Sequence, residues 1–357
     1  MYDYSKQIDA FWDEKVRLSA GFKEKLLKHR QTNRDRLKSG LPDNIEGVSI
    51  GESSFKSQGS VAMKTIIQTR FLEEEYDIDD GVVLKRSDLK DKDGNELTAM
   101  DTKERVRKTL KDERFDRQPR LCTNCVRVFY AEEDKEKHHV DFPVYRKYTN
   151  DSGDEERELA SGEDWILSDP TQVNRWFEDE VAERNKKIDG KGTQMRKLVQ
   201  LLKRFCRSRK EWDLPNGMKL TMLVSECQPG YSERIDKAFR DLLQKLKARL
   251  EKSKIICNLA HPDKPQITRS SNDNNVCALL DKTTEALEEL EKLDTEDCRR
   301  SDARKAWDWV FKSDGFFEDL DDDEDDSNDP NGGKASFGLV SEIPKSPVDH
   351  RGGGRFG

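Results

Sequence analysis

Two aspartates spaced i, i+2 at the head of an apolar run, Asp77 and Asp79 in "EYDIDDGVVL", are the residues most able to do chemistry in this chain. In an extended strand they project from one face, with Ile78 directed into the opposite layer. Like charges set side by side at the edge of a buried strand are costly unless a cation compensates them. A pair of carboxylates suits a hard divalent ion such as Mg²⁺. A third acid on a neighbouring strand would complete a two-metal site. Asp141 in "HHVDFPVY" is the candidate, an acid held between Val140 and Phe142 in a strand-like run. Upstream, Gly59-Ser60 leads into the helix-like "VAMKTII". Glycine admits close backbone approach, while a helix start and a hydroxyl offer donors to a phosphate. Phosphate grip and metal-binding acids together mean phosphoryl chemistry. An EF-hand reading of the same acids fails, because its loop glycine stands sixth from the first aspartate and Gly81 stands fifth.

These residues need a sheet, and the order of segments supplies one. Strands are expected at Val82–Leu84, in "LCTNCVRVFY" and in "HHVDFPVYRKY", where Pro143 argues for an edge or a bend. Helices are expected over residues 8–38, stopped by "SGLPDN", and over 101–114. From about residue 169 the chain turns helical, with Asp169 as N-cap and Pro170 at the first helical position. Strands followed by helices predict an α+β protein with a mixed-sheet lobe and a helical lobe. The expected divisions are 1–165, 166–313 and a tail, 314–357.

The chain has 357 residues, 39% of them charged, and a formal net charge of −8. Residues 314–329 hold ten acids and neither Lys nor Arg, so taking them from −8 leaves the rest at +2. That tail, ending "GGGRFG", has too little apolar matter to pack and is expected to be disordered. A nearly neutral body without a basic stripe permits a phosphate-bearing ligand and does not call for duplex nucleic acid. No apolar run of about twenty residues predicts a membrane span. The polar N-terminus does not read as a signal peptide, and seven scattered cysteines suit a reducing, cytoplasmic setting. Cys122-x-x-Cys125 is half a zinc site without a second half, and His138 and His139 read as surface or strand-end residues.

The blocks "QGSVAMKT", "EYDIDDGVVL", "HHVDFPVY", "DWILSDPTQVNRWFEDEV" and "RKLVQLLKRF" occur in the order found in bacterial cyclic-oligonucleotide synthases. These are the cyclic GMP–AMP-synthase-like nucleotidyltransferases of anti-phage signalling, and the resemblance spans roughly residues 8–312. It implies a polymerase-β-like nucleotidyltransferase lobe joined to a helical lobe, with the active site between them. It further implies that Asp77, Asp79 and Asp141 bind two Mg²⁺ ions, with Mn²⁺ as an alternative. Gln58, Gly59 and Ser60 would hold a donor triphosphate, Lys203 would lie near it, and Ser168 and Asp169 would approach the nucleotides. ATP, GTP or other ribonucleoside triphosphates would be joined into a cyclic di- or trinucleotide. Gly357 would be a point of attachment for a ubiquitin-like conjugation machinery. A template-independent RNA nucleotidyltransferase of the same fold, or an inactive nucleotide-binding scaffold, is the competing reading.

Overall fold

The computed structural model describes residues 1–71, 73–130, 137–186, 194–227 and 229–325. An eight-stranded mixed sheet is organised around β2 (Glu75–Lys85), an eleven-residue strand far longer than the three apolar residues that announce it. β1 (Phe55–Ser57) pairs antiparallel with its second half. β5 (Lys137–Phe142) and β6 (Val144–Thr149) run parallel to it, with Asp79 opposite Asp141 and Val82 opposite Val144. The register is unchanged across Pro143, whose carbonyl accepts from Val82 N–H at 2.9 Å. Pro143 therefore marks a break between two strands, at the one residue that has no N–H to give. β3 (Arg120–Leu121), β4 (Val126–Tyr130), β7 (Glu155–Ser161) and β8 (Asp164–Leu167) extend the sheet in antiparallel pairs.

Alternation along β2 divides its side chains. Tyr76, Ile78, Val82 and Leu84 enter a core shared with α2 (Ala20–Asn44) and α4 (Ala99–Leu110) through Leu26, Leu37, Leu41, Val106 and Leu110. Asp77 and Asp79 occupy the other face, as their spacing requires.

The second core is helical. It is built from α5 (Gln172–Lys186), α6 (Gln194–Cys206), α7 (Gly217–Cys227), α8 (Ile235–Lys252), α9 (Asn274–Glu291) and α10 (Arg300–Phe311). α1 (Ser5–Phe11) also packs there: Tyr4, Ile8, Phe11 and Val16 are buried among these helices, not under the sheet. The first sixteen residues thus belong by packing to the helical core, a correction to the division at 1–165. The single helix expected over 8–38 is two, separated by a π-helical turn at Trp12–Val16 and an extended Arg17, and restarted by Ser19, whose hydroxyl accepts from Phe22 N–H. α2 then continues through Pro42 to Asn44, past the expected stop.

The tail boundary at 314 is also corrected. α11 (Phe316–Asp325) brings Phe316 and Phe317 against Phe11, with ring centroids 5.6 and 5.1 Å away. Two adjacent phenylalanines give the acidic run an apolar anchor. The rest of the tail, Gly357 included, lies outside the described residues. No helix of the described residues is long and apolar enough to cross a membrane.

Candidate active site

The parallel register of β2 and β5 places Asp141 beside Asp79 and His139 beside Asp77. Oxygens of Asp77 and Asp141 and a ring nitrogen of His139 lie within 4.8 Å of one another. Among the described residues this is the one group of three or more such donors, and Cys122 and Cys125 belong to none. Asp79 leans the other way, toward Gly59, yet stays within electrostatic reach. Burial, with the charges of Asp77 and Asp141, pushes its carboxyl up to about 7. A buried acid held half-protonated by its neighbours is the sign of negative charge that the protein has not compensated.

Asp141 is held by a cross-strand guanidinium. Arg127, opposite it on β4, donates from Nε and Nη2 to its two oxygens, each at 2.7 Å. A carboxylate that accepts a bidentate guanidinium keeps a lone pair on each oxygen for a cation. The donor set therefore fits a hard divalent ion: three carboxylates, crowded on one face, with Asp79 open to protonation in the ion's absence.

Asp80, the third aspartate of the run, is different. It faces the core, wholly buried, and accepts from Arg34 of α2 at 2.6 and 2.5 Å. Its charge is a structural one, neutralised within the fold.

The phosphate loop docks directly on the acid strand. Gln58 N–H donates to the Asp79 carbonyl at 2.9 Å, and Gly59 opens the short helix α3 (Gly59–Ala62) at φ +63°. A Cβ at residue 59 would stand 2.1 Å from Asp79 Oδ2, so glycine is required both by the backbone and by the carboxylate above it. Gly81 plays the matching part on β2: a Cβ there would meet Gln58 Nε2 at 2.4 Å. Gln58 in turn reaches the Tyr145 hydroxyl, Nε2 to Oη 3.3 Å.

These groups open onto a cleft of about 500 Å³ between the sheet and the helical core. Gln58, Gly59, Ser60, Asp77, Asp79, Ser168, Asp169 and Lys203 all line it. Of the described site residues named from sequence, only Asp141, opposite Asp79 on β5, does not. Lys203 is buried on α6, with Nζ donating to the Thr65 carbonyl at 3.0 Å and to its hydroxyl at 3.2 Å. Burial, with Arg207 just past the end of α6, draws its pKa down to about 7. Asp169 receives the Thr171 N–H and hydroxyl at 2.8 Å each and pairs with Arg157 and Arg175, so it shapes the turn into α5, which begins at Gln172.

His139 was missed by sequence reading, which placed it at a surface or strand end. It is 6% exposed, on the cleft face of β5, with Nδ1 2.9 Å from Glu75 Oε2. The signal was present: the alternation that puts Asp141 on this face puts His139 there too. Burial lowers its pKa, but the nearby carboxylates of Asp77 and Asp141 outweigh burial and raise it. Arg127 and Tyr145 were likewise unanticipated, since cross-strand partners depend on a register that sequence does not give. His138 is also buried and shares a 2.7 Å contact with His29 on α2.

Residues 53–145 match the family described as cyclic GMP-AMP synthase DncV-like, nucleotidyltransferase domain. The Vibrio cholerae DncV cyclic AMP-GMP synthase, solved with a linear intermediate, has a TM-score of 0.65 at 17% identity, covering 87% of this chain and 96% of that one. The Bradyrhizobium diazoefficiens CD-NTase CdnG, solved with GTP, has a TM-score of 0.63 at 14% identity, covering 90% and 98%. Residues 53–145 are thus similar to the nucleotidyltransferase domain of the DncV-like family, and the chain as a whole shares the fold of these synthases.

Proposed function

We propose that this chain condenses ribonucleoside triphosphates into a cyclic di- or trinucleotide second messenger, releasing pyrophosphate, and that the product is of the cyclic GMP–AMP kind and serves anti-phage signalling. The supporting observation is that Asp77 and Asp79 line, beside the Gly59-Ser60 loop, a cleft roomy enough for nucleotides, with Asp141 opposite Asp79 on the neighbouring strand. ATP and GTP are the expected substrates, in line with the nucleotides named for the similar structures.

Each residue has a task. Gly59 lets a phosphate come close to the backbone, and the Ser60 hydroxyl donates to it. Lys203 and Arg207 face the same cleft and offer positive charge to a triphosphate. Asp77, Asp79 and Asp141 would hold two divalent ions, Mg²⁺ or Mn²⁺, which supply Lewis-acid activation of the attacking hydroxyl and charge neutralisation on the leaving phosphates. Asp141, fixed by Arg127, stands on the neighbouring strand where the acceptor hydroxyl must arrive. That hydroxyl attacks the α-phosphate of the donor, a new O–P bond forms, and pyrophosphate departs. A second transfer after the linear product turns round closes the ring. Val173, Met218 and Pro170 give the cleft apolar surface suited to bases.

The test is product analysis. The purified chain, with Mg²⁺ or Mn²⁺ and the four ribonucleoside triphosphates, should yield phosphatase-resistant cyclic products. Only linear, phosphatase-sensitive products would point instead to an enzyme that extends an oligonucleotide. The absence of any transfer under activating conditions would favour a nucleotide-binding scaffold.

A further inference from the structure

We propose that His139 is itself a metal ligand, so that the acid cluster presents an imidazole nitrogen and favours a first-row transition cation such as Mn²⁺ over Mg²⁺. The inference deepens the proposed function and rests on its metal site.

Three observations carry it. The first is placement. His139 lies opposite Asp77 and two residues from Asp141, and one ligand atom from each of the three falls within a 4.8 Å group. Asp79 is outside that group, its carboxylate turned to Gly59. The second is an orphaned atom. His139 Nε2 is buried and has no hydrogen-bond partner, although Asp77 Oδ1 is 3.1 Å away. The distance satisfies an ion pair, but the direction does not satisfy a hydrogen bond. A buried ring nitrogen left in this way is unfavourable unless something else occupies its lone pair. The third is the other ring nitrogen. Nδ1 is 2.9 Å from Glu75 Oε2, two residues before Asp77 on the same face of β2. A histidine that donates one N–H to a carboxylate is locked in the tautomer that leaves the other nitrogen free to ligate, and the carboxylate makes that nitrogen more basic.

Oxygen, nitrogen and oxygen donors discriminate among cations by chemistry. Mg²⁺ prefers oxygen ligands and sheds water reluctantly, whereas imidazole strengthens binding of Mn²⁺ and the metals after it in the first row. The cluster is thus assigned to a site that holds a first-row transition cation such as Mn²⁺ more tightly than Mg²⁺ in the resting protein.

The experiment uses the full chain without nucleotide and Mn²⁺ alone as probe. Electron paramagnetic resonance titration gives Mn²⁺ affinity, competition gives Mg²⁺ affinity, and electron spin echo envelope modulation reports any coordinated ring nitrogen. The wild-type protein should show ¹⁴N modulation that converts to the ¹⁵N pattern when histidine is ¹⁵N-labelled. His139→Leu should lose the modulation and weaken Mn²⁺ binding about 10–100-fold, with Mg²⁺ affinity changed less than about threefold. Glu75→Gln should keep the modulation and weaken Mn²⁺ about tenfold. Bound Mn²⁺ without nitrogen modulation in the wild-type protein overturns the inference, as does modulation that persists in a folded His139→Leu protein. If that variant does not fold, the labelled wild-type measurement still decides. Mn²⁺ bound without imidazole in a chain that makes cyclic product would sink this assignment and leave the proposed function standing. Imidazole-bound Mn²⁺ in a chain that transfers no nucleotide would do the reverse.

Discussion

Asp79 and Asp80 are neighbours in sequence and opposites in structure. Asp80 turns to the core and receives both arms of Arg34, so its charge is answered inside the fold. Asp79 turns to the cleft, where Asp77 and Asp141 crowd it and its carboxyl is pushed up to about 7. One strand thus carries a structural acid and a reactive one, separated by a single step of the pleat. The lesson is that a functional carboxylate is marked by the company it lacks. Burial alone does not separate the two, since both are largely removed from solvent; the counter-ion does.

Substitutions on either side of β2 should split activity from stability. Replacing both cleft acids, Asp77→Asn with Asp79→Asn, should reduce nucleotidyl transfer by about 10³-fold or more, because several kcal/mol of electrostatic stabilisation are lost. The same pair should leave the metal-free melting temperature unchanged or higher, since it removes like-charge repulsion. On the core side, Asp80→Ala should strip the buried Arg34 of its bidentate carboxylate, leaving it only Ser57 and the exposed Glu52, and cost about 3 kcal/mol in denaturant unfolding. Activity per folded molecule should persist in that variant. If Asp80→Ala is as stable as the wild type, the contrast between the two faces is wrong.

The loop beside the acids should be nearly as sensitive. Gly59→Ala forces a Cβ onto Asp79 Oδ2 at a left-handed backbone position. Displacement of the carboxylate by about 1 Å should lower kcat/KM by about 10²-fold, measurable by pyrophosphate release. Unchanged kinetics would separate the loop from the site.

The smallest effect is a pH dependence. Lys203 is drawn down from 10.5 to about 7, so between those values the folded protein holds it neutral while the unfolded chain holds it charged. The unfolded state then binds more protons, and stability rises with pH over that window. A bound triphosphate restores the charge, so binding takes up a proton and nucleotide affinity should fall as pH climbs above about 7. Calorimetric titration should show a loss of up to about tenfold per pH unit, flattened in Lys203→Met. An equally steep profile in that variant would remove Lys203 from triphosphate binding.

The acids were legible because a strand has a strict period of two, and the Gly-Ser bend because few residues permit it. Asp141 was identified by an acid between apolar neighbours, and the fold by the order of strands and helices. What failed to show was what depends on pairing. β7 and β8 are strands made of "EERELAS" and "DWIL", and they exist because β6 offers an edge to β7 and β7 offers one to β8. Phe316 and Phe317 were hidden inside an acidic run whose average composition says disorder. His139 was dismissed because its neighbour in space, Asp77, is sixty-two positions away in the chain.

The central claim is that three carboxylates and the Gly59-Ser60 bend form one site for a divalent ion and a triphosphate. Crystals grown with Mn²⁺ and a non-hydrolysable nucleoside triphosphate test it directly, since anomalous scattering locates the metal without ambiguity. The account predicts manganese in contact with Asp77 and Asp141, with the triphosphate lying against residues 59 and 60. A triphosphate bound elsewhere, or manganese away from these acids, would contradict it.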